Sequence, residues 1–314
     1  MISRRLIRIK IVQVLYSYFS NENPTLESAE KELNQSIKKT FDLYHSVLLL
    51  IINIANYAQE RIDIAKEKKL PTFDDLNPNT RFVDNSIINL FRNSSSLNKY
   101  INENKISWNE YHEIIKNLHN KIADKQYFID YMNGKQSDFN SDKQLIIEIL
   151  TNEFEGWDLF YQIVEEQSIF WNDDIEFVLS MIIKTVENCK RSDTEGKLMS
   201  LYKNDDDREF GKLLLRKSIL KHEQFRKMID NYTKNWEVER IAIMDILIMI
   251  AALTEITEFP SIPVKVTLNE YIDIARFYST SKSNEFVNGI LDKIVIDLKK
   301  ENKIIKTGRG LIGE

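Results

Sequence analysis

Cysteine is nearly absent. Cys189 is the only one in 314 residues, so an intrachain disulfide framework is excluded and a reducing, cytoplasmic setting is expected. Glycine and proline are scarce too, at 8 and 5, which leaves little punctuation for turns and favours long helices over many strands. The longest apolar stretches, residues 47–55 and 241–253, are too short or too interrupted to predict a membrane span. The basic start, residues 1–8, lacks a following small-residue cleavage site and does not read as a signal peptide. An excess of positive charge is missing as well. With a formal net charge of -5, any surface for a polyanion has to be a local patch.

What is present is 43% hydrophobic residues, the proportion of a folded chain, at a length that holds one large domain or two ordinary ones. Helical periodicity dominates, no alternating strand pattern persists and no internal repeat is visible, so the expected fold class is all-α. A first helix is predicted over residues 3–20. Pro24-Thr25 opens a long second one running to about residue 69, with Leu33, Ile37, Tyr44, Leu48, Ile52 and Ala55 among its apolar face. Ser107-Trp108-Asn109-Glu110 reads as a capping box introducing a helix that ends near Gly134. Asp173-Asp174 and the stretch from Asn204 to Asp207 place acids at the start of two further helices.

The catalytic vocabulary is poor. His45, His112, His119 and His222 form neither an H-E-x-x-H nor a Glu-x-x-His motif, so no metal and no cofactor is expected. Cys189 lies beside Lys190 and Arg191, which could lower a thiol pKa, although an ordinary thiol at a helix end is the commoner case. Gly308, Gly310 and Gly313 fit G-x-G-x-x-G as text, but no strand precedes them and a dinucleotide cradle is excluded.

The basic residues cluster at one place. Arg4, Arg5 and Arg8 fall within about a third of the helix circumference, and no acid occurs before Glu22. Tyr16 lies farther along a similar face. Guanidinium groups take phosphates bidentately, and unpaired RNA is read by stacking and base-edge hydrogen bonds. On its own, such a basic helix start is more often a solvated face.

The richest segment is residues 262–294. Val264, Leu268, Tyr271, Ile272 and Ala275 form one helical stripe, and Phe286, Ile290, Ile294 and Leu298 form a second after the polar elbow Ser279-Thr280-Ser281-Lys282-Ser283. Gly289 sits inside the second helix at a cost of about 1 kcal/mol relative to Ala, which predicts a close backbone approach there. Asp245 is a lone carboxylate in an apolar run and needs a partner or a wet edge. A contact with another protein and an internal pair with Arg or Lys are both open.

The Pro-x-Lys-Val, Asn-Glu and Phe-Val-Asn-Gly elements of this segment, at their spacing, resemble the signature of the NusB family of helical, RNA-binding transcription antitermination factors. Arg4-Arg5-Leu6-Ile7-Arg8 with Gln13-Val14-Leu15-Tyr16 is similar to the family's basic first helix. The run from Asn235-Trp236-Glu237 to Thr254-Glu255-Ile256 is similar to its central helix, and Phe210-Gly211-Lys212-Leu213-Leu214 to the helix before it. The resemblance implies a boxA-like single-stranded RNA ligand touched by Arg4, Arg5, Arg8 and Tyr16, and by Phe286, which matches a family aromatic near the RNA surface but reads nearly as well as a core anchor of the second stripe. It also implies a small-subunit ribosomal protein as partner near Asp245, RNA polymerase engaged indirectly, and no membrane. Lys282 stands where many relatives carry the acid that faces this partner, which argues against an identical contact and adds Lys282 to the basic set.

The expected organisation is residues 1–69 and 205–300 as the NusB-like bundle, 70–204 as a helical insertion, and 301–314 as a flexible tail. Two rival classes remain: a helical scaffold that binds a protein through the insertion, and an enzyme using a NusB-like module for targeting, as some RNA methyltransferases do. The second needs a cofactor fold of which no Gly-rich strand–turn–helix gives a sign.

Overall fold

A computed structural model describes residues 1–134, 138–233 and 241–312. These residues are all-α and contain no strand, only an isolated bridge between Ile2 and Tyr202. In chain order the helices are α1 (Arg4–Ser20), α2 (Leu26–Lys66), α3 (Phe73–Leu76), α4 (Ser86–Arg92), α5 (Ser95–Asn104), α6 (His112–Ala123), α7 (Gln126–Asn133) and α8 (Phe139–Asn152). They continue with α9 (Asp158–Gln167), α10 (Ile175–Asn188), α11 (Asp205–Leu220), α12 (His222–Tyr232), α13 (Ile243–Glu258), α14 (Val264–Tyr278) and α15 (Ser283–Lys300).

Local chemistry explains several boundaries. The Ser3 hydroxyl accepts from the Leu6 N–H and starts α1. Thr25, just ahead of α2, and Ser28 in its first turn exchange backbone-to-hydroxyl bonds of 3.2 and 3.1 Å. The Asn204 side chain accepts from the Asp207 N–H, and three aspartates then fill the first turn of α11. The box predicted at residues 107–110 is different. Its Trp108 is fully buried and donates to the Ser46 carbonyl at 2.7 Å, and α6 begins only at His112 without a side-chain cap. The helix expected to reach Gly134 is broken between Ala123 and Gln126 into α6 and α7.

The chain forms two compact units, Met1–Ile37 with Tyr202–Glu314, and Lys38–Leu201. The division falls inside α2, not at residue 69 as the sequence reading expected, because the apolar face of α2 is continuous and serves both cores in turn. In the first unit α13 is the axis: α1, α11, α12, α14 and α15 all pack on it, and residues 246–256 are buried without a break. The run Asn235-Trp236-Glu237-Val238-Glu239-Arg240 lies outside the described residues. In the second unit, the later part of α2 receives the indole N–H groups of Trp108 and Trp171 on its Ser46 and Lys39 carbonyls. By length and composition α2 could cross a membrane, but 72% of its most apolar stretch is buried inside the protein. It is a core helix.

The described part of the tail, residues 301–312, is docked on the first unit. The Thr307 N–H and the Lys306 ammonium donate to the carbonyls of Pro260 and Phe259, both at 3.0 Å, and a Cβ on Gly310 would overlap the Pro260 carbonyl oxygen. The close approach expected at Gly289 is not there: an added Cβ would meet nothing within 4 Å. It occurs at Gly211, where a Cβ would lie 3.0 Å from Ile7 of α1. Hence Gly289→Ala should raise stability by about 1 kcal/mol, while Gly211→Val should lower it by roughly 1–3 kcal/mol through overpacking. Urea midpoints of the two variants check both signs.

His45 in the second unit generates a further prediction. Its ring is buried, stacked on Tyr100 at 3.8 Å, with Nδ1 2.7 Å from the Phe41 carbonyl, and burial lowers its pKa to about 4 against the opposing pull of Asp42. The unfolded chain therefore binds this proton near pH 6.5 and the folded chain only near 4. Stability should fall as pH drops between those values, by up to roughly 3 kcal/mol. His45→Gln should remove that part of the slope in urea titrations run at pH 7 and pH 4.5.

Candidate nucleic-acid interface

The three N-terminal arginines sit on one helix but point at different surroundings. Arg8 is turned inward and only 4% exposed. Its Nε and Nη2 bind the two carboxylate oxygens of Glu255 at 2.8 and 2.7 Å, and its Nη1 lies 3.7 Å from Glu270. Glu255, fully buried in α13, also accepts from the hydroxyls of Thr267 at 2.8 Å and Tyr271 at 3.4 Å on α14. Burial and this carboxylate push the Tyr271 phenol well above its ordinary range. Desolvation by itself would lower the Arg8 pKa, and the Glu255 contacts together with Tyr271 and Glu270 more than offset it, so the guanidinium is held charged.

This is a correction to the sequence reading: Arg8 cannot present its charge to an RNA phosphate, because a fixed bidentate pair uses it. Arg4 is half committed, with Nε 2.7 Å from Asp207 and its guanidinium 4.9 Å from the Phe210 ring centre, which Arg8 approaches from 5.3 Å. Arg5, one position on, faces outward at 43% exposure. Its Nη1 touches Asp273 at 3.2 Å and Glu270 at 3.9 Å, both on α14. The opening helix and the closing helical pair are thus brought together, as expected, but with one outward arginine rather than three.

Tyr16 is 44% exposed. Eleven residues on from Arg5 it returns to nearly the same helix face, about 16 Å along the axis. Lys282 is exposed at the elbow and Phe286 is half-buried one turn into α15. The elbow is built from hydroxyls. Ser283 is buried and donates to the Asp245 carboxylate at 2.9 Å, while it accepts from the Thr280 N–H at 3.0 Å. Asp245, in the first turn of α13, is itself only 5% exposed. It is therefore turned away from a protein partner, and among the described residues its bond is to a serine rather than to an arginine or lysine. Its role is to pin the elbow against the start of α13, where the helix dipole favours its charge.

Sequence reasoning missed Glu255 and Asp273 as the acids that take Arg8 and Arg5, with Glu270 lying near both. Their signal was available: Glu255 is a second carboxylate in an apolar helix and requires a cation. Among the described residues no group of three or more His, Cys, Asp or Glu side chains could hold a metal ion. The Cys189 thiol is buried, donates weakly to the Thr185 carbonyl and is pushed up to about 11 by burial; it is not activated by its basic neighbours.

Removing one member of the buried pair strands the other. Arg8→Met should cost roughly 3–5 kcal/mol of folding stability, and the double variant with Glu255→Leu should recover much of it. A urea series in which Arg8→Met unfolds within 1 kcal/mol or so of the parent would deny the pair its structural role.

Comparison with protein families matches residues 176–295 to the NusB family. That range starts in α10, in the second unit, and runs through α11–α14 into α15. Among curated proteins, the chain is 42% identical over 106 residues to the transcription antitermination protein NusB of Salinibacter ruber, covering 34% of this chain and 66% of the relative. It is 44% identical over 84 residues to that of Chloroherpeton thalassium, covering 27% and 40%, and 43% identical over 82 residues to that of Methylacidiphilum infernorum, covering 26% and 57%. The chain thus spans less than two thirds of the length of each of these relatives. No solved structure matches. Residues 176–295 of this chain are thus similar to the NusB family.

Proposed function

We propose that this protein is a cytoplasmic transcription antitermination factor that binds a boxA-like single-stranded element of nascent ribosomal RNA. It acts by assembly and not by catalysis, together with a small-subunit ribosomal protein, and engages RNA polymerase indirectly. The relatives named above are antitermination proteins by description. The observation that carries the reading to particular residues is the outward Arg5 on α1, bridged to Glu270 and Asp273 of α14 and sharing a helix face with the exposed Tyr16. Both Arg5 contacts run through Nη1, which leaves the rest of the guanidinium fork for a phosphate. Phosphate contacts set the position of the strand, and stacking and base-edge contacts select it.

Within this reading Arg5, Tyr16, Lys282 and Phe286 form the RNA side, Arg4 contributes the half of its guanidinium that Asp207 leaves free, and Arg8 supports α1 from below. Lys282, in place of an acid, belongs to the RNA and not to the ribosomal protein.

One observation favours a second reading, in which the unit Lys38–Leu201 binds a protein. Ile64, Leu70, Phe73 and Leu76 all stand exposed around the end of α2 and α3, an apolar grouping that a monomer has little reason to show to water.

Arg5→Glu should weaken binding to boxA RNA and flatten the dependence of log K on log salt by about 0.7, the loss of one phosphate contact on a single strand. Titration of labelled boxA RNA and a scrambled control across a salt series measures both. Equal affinity for the two RNAs, or none for either, removes the antitermination reading and leaves the protein-binding one.

A further inference from the structure

Phe277 is the penultimate residue of α14 and is 71% exposed. A single apolar side chain in water needs no explanation by itself. Its setting does. Glu270, Asp273 and Phe277 follow each other at i, i+3 and i+7, so they stand on one stripe of α14, away from the buried Thr267, Tyr271 and Ile274. Asp273 takes Arg5 Nη1 on one oxygen at 3.2 Å and Arg276 Nη1 on the other at 3.5 Å. A shared carboxylate therefore holds two guanidinium groups, both substantially exposed, one helical turn from an open aromatic ring.

The field there is weak. Arg5, Arg8 and Arg276 meet Glu255, Glu270 and Asp273, three cations against three anions. A ligand at this spot is consequently not collected by long-range attraction. It has to be held by a flat face and by direct donors, which is how unpaired nucleotides are bound: a base stacks on the ring and guanidinium groups reach the adjoining phosphates.

We propose that Phe277, set beside Arg5 and Arg276 across the carboxylate of Asp273, is a stacking platform for one unpaired base of the bound RNA strand. This rests on the RNA-binding reading and extends the contact surface from α1 on to the last turn of α14. Stacking supplies affinity without adding charge, so the ring and the two arginines contribute separable terms.

The test uses the full chain and a single-stranded boxA RNA in which 2-aminopurine replaces one base at a time. At one position fluorescence should be quenched on binding by the parent protein and not by Phe277→Ala. That variant should bind roughly 5- to 150-fold more weakly with an unchanged salt slope, and Phe277→Trp should restore both affinity and quenching. Arg276→Gln should instead flatten the slope by about 0.7. If the parent binds and Phe277→Ala binds equally well with the same quenching, the platform is refuted while the RNA reading stands. If Phe277→Ala loses only affinity for a ribosomal protein, the ring is a protein contact and the proposal is overturned. A parent protein that binds no RNA overturns both.

Discussion

A buried guanidinium–carboxylate pair, Arg8 with Glu255, fixes how the ends of this chain meet. Both charges are stripped of water, which costs several kcal/mol per ion before any attraction is counted. The arrangement persists because every strong acceptor is used: each Glu255 oxygen takes one arm of the fork at under 3 Å and one hydroxyl from α14. Greasy contacts between α1, α13 and α14 would tolerate small slides. A four-bond node of this kind does not, since a shift of one residue leaves an ion unpaired in an apolar core. The node therefore sets register among the three helices, at 247 residues' separation along the chain.

That constraint divides the arginines. With Arg8 committed inward, α1 is held at one rotation. Arg4, a turn earlier and roughly on the same side, is drawn to Asp207 and the Phe210 ring. Arg5, about 100° around, must then emerge beside α14, where Glu270 and Asp273 meet it. The outward surface follows from the inward pair. Asp245 and Ser283 do the equivalent at the elbow: a buried carboxylate ties the start of α15 to the start of α13, and so places Lys282 in solvent and Phe286 at the surface edge.

Helices were readable from sequence because their signals are local. Ser3, Asn204 and the aspartates after it, the sparse glycine, and the stripes of α14 and α15 all act within a turn or two of themselves, and each appears where periodicity and capping place it. The misreadings concern features decided by distant partners. Whether a helical arginine faces water or a carboxylate depends on residues more than two hundred positions away, so Arg4, Arg5 and Arg8 looked equivalent. Gly211 and Gly289 are both mid-helix, and only the position of Ile7 tells which one is a contact. The division within α2 is invisible locally because an uninterrupted apolar face gives no punctuation where one core ends and the next begins. Residues 301–312 read as a loose tail since their anchors are backbone carbonyls of Phe259 and Pro260, which no side-chain pattern announces.

The same distant acids change the electrostatic argument for RNA. Counted along α1, the first helix is purely cationic up to Glu22. Counted in space, Asp207, Glu255, Glu270 and Asp273 have been folded against it, and the surface is close to neutral in a protein whose net charge is -5. Screening acts within about 8–10 Å at cellular salt, so a surface of this kind draws any polyanion only weakly from a distance. Aromatic faces such as Tyr16, with a few guanidinium donors held in place by carboxylates, suit that regime: they discriminate an unpaired strand by stacking geometry where charge alone would bind any polyanion. Low net attraction also leaves room for a second protein to raise affinity. On that physics, under the proposed RNA-binding reading, binding depends on assembly, because a surface of this kind supplies selectivity more readily than strength.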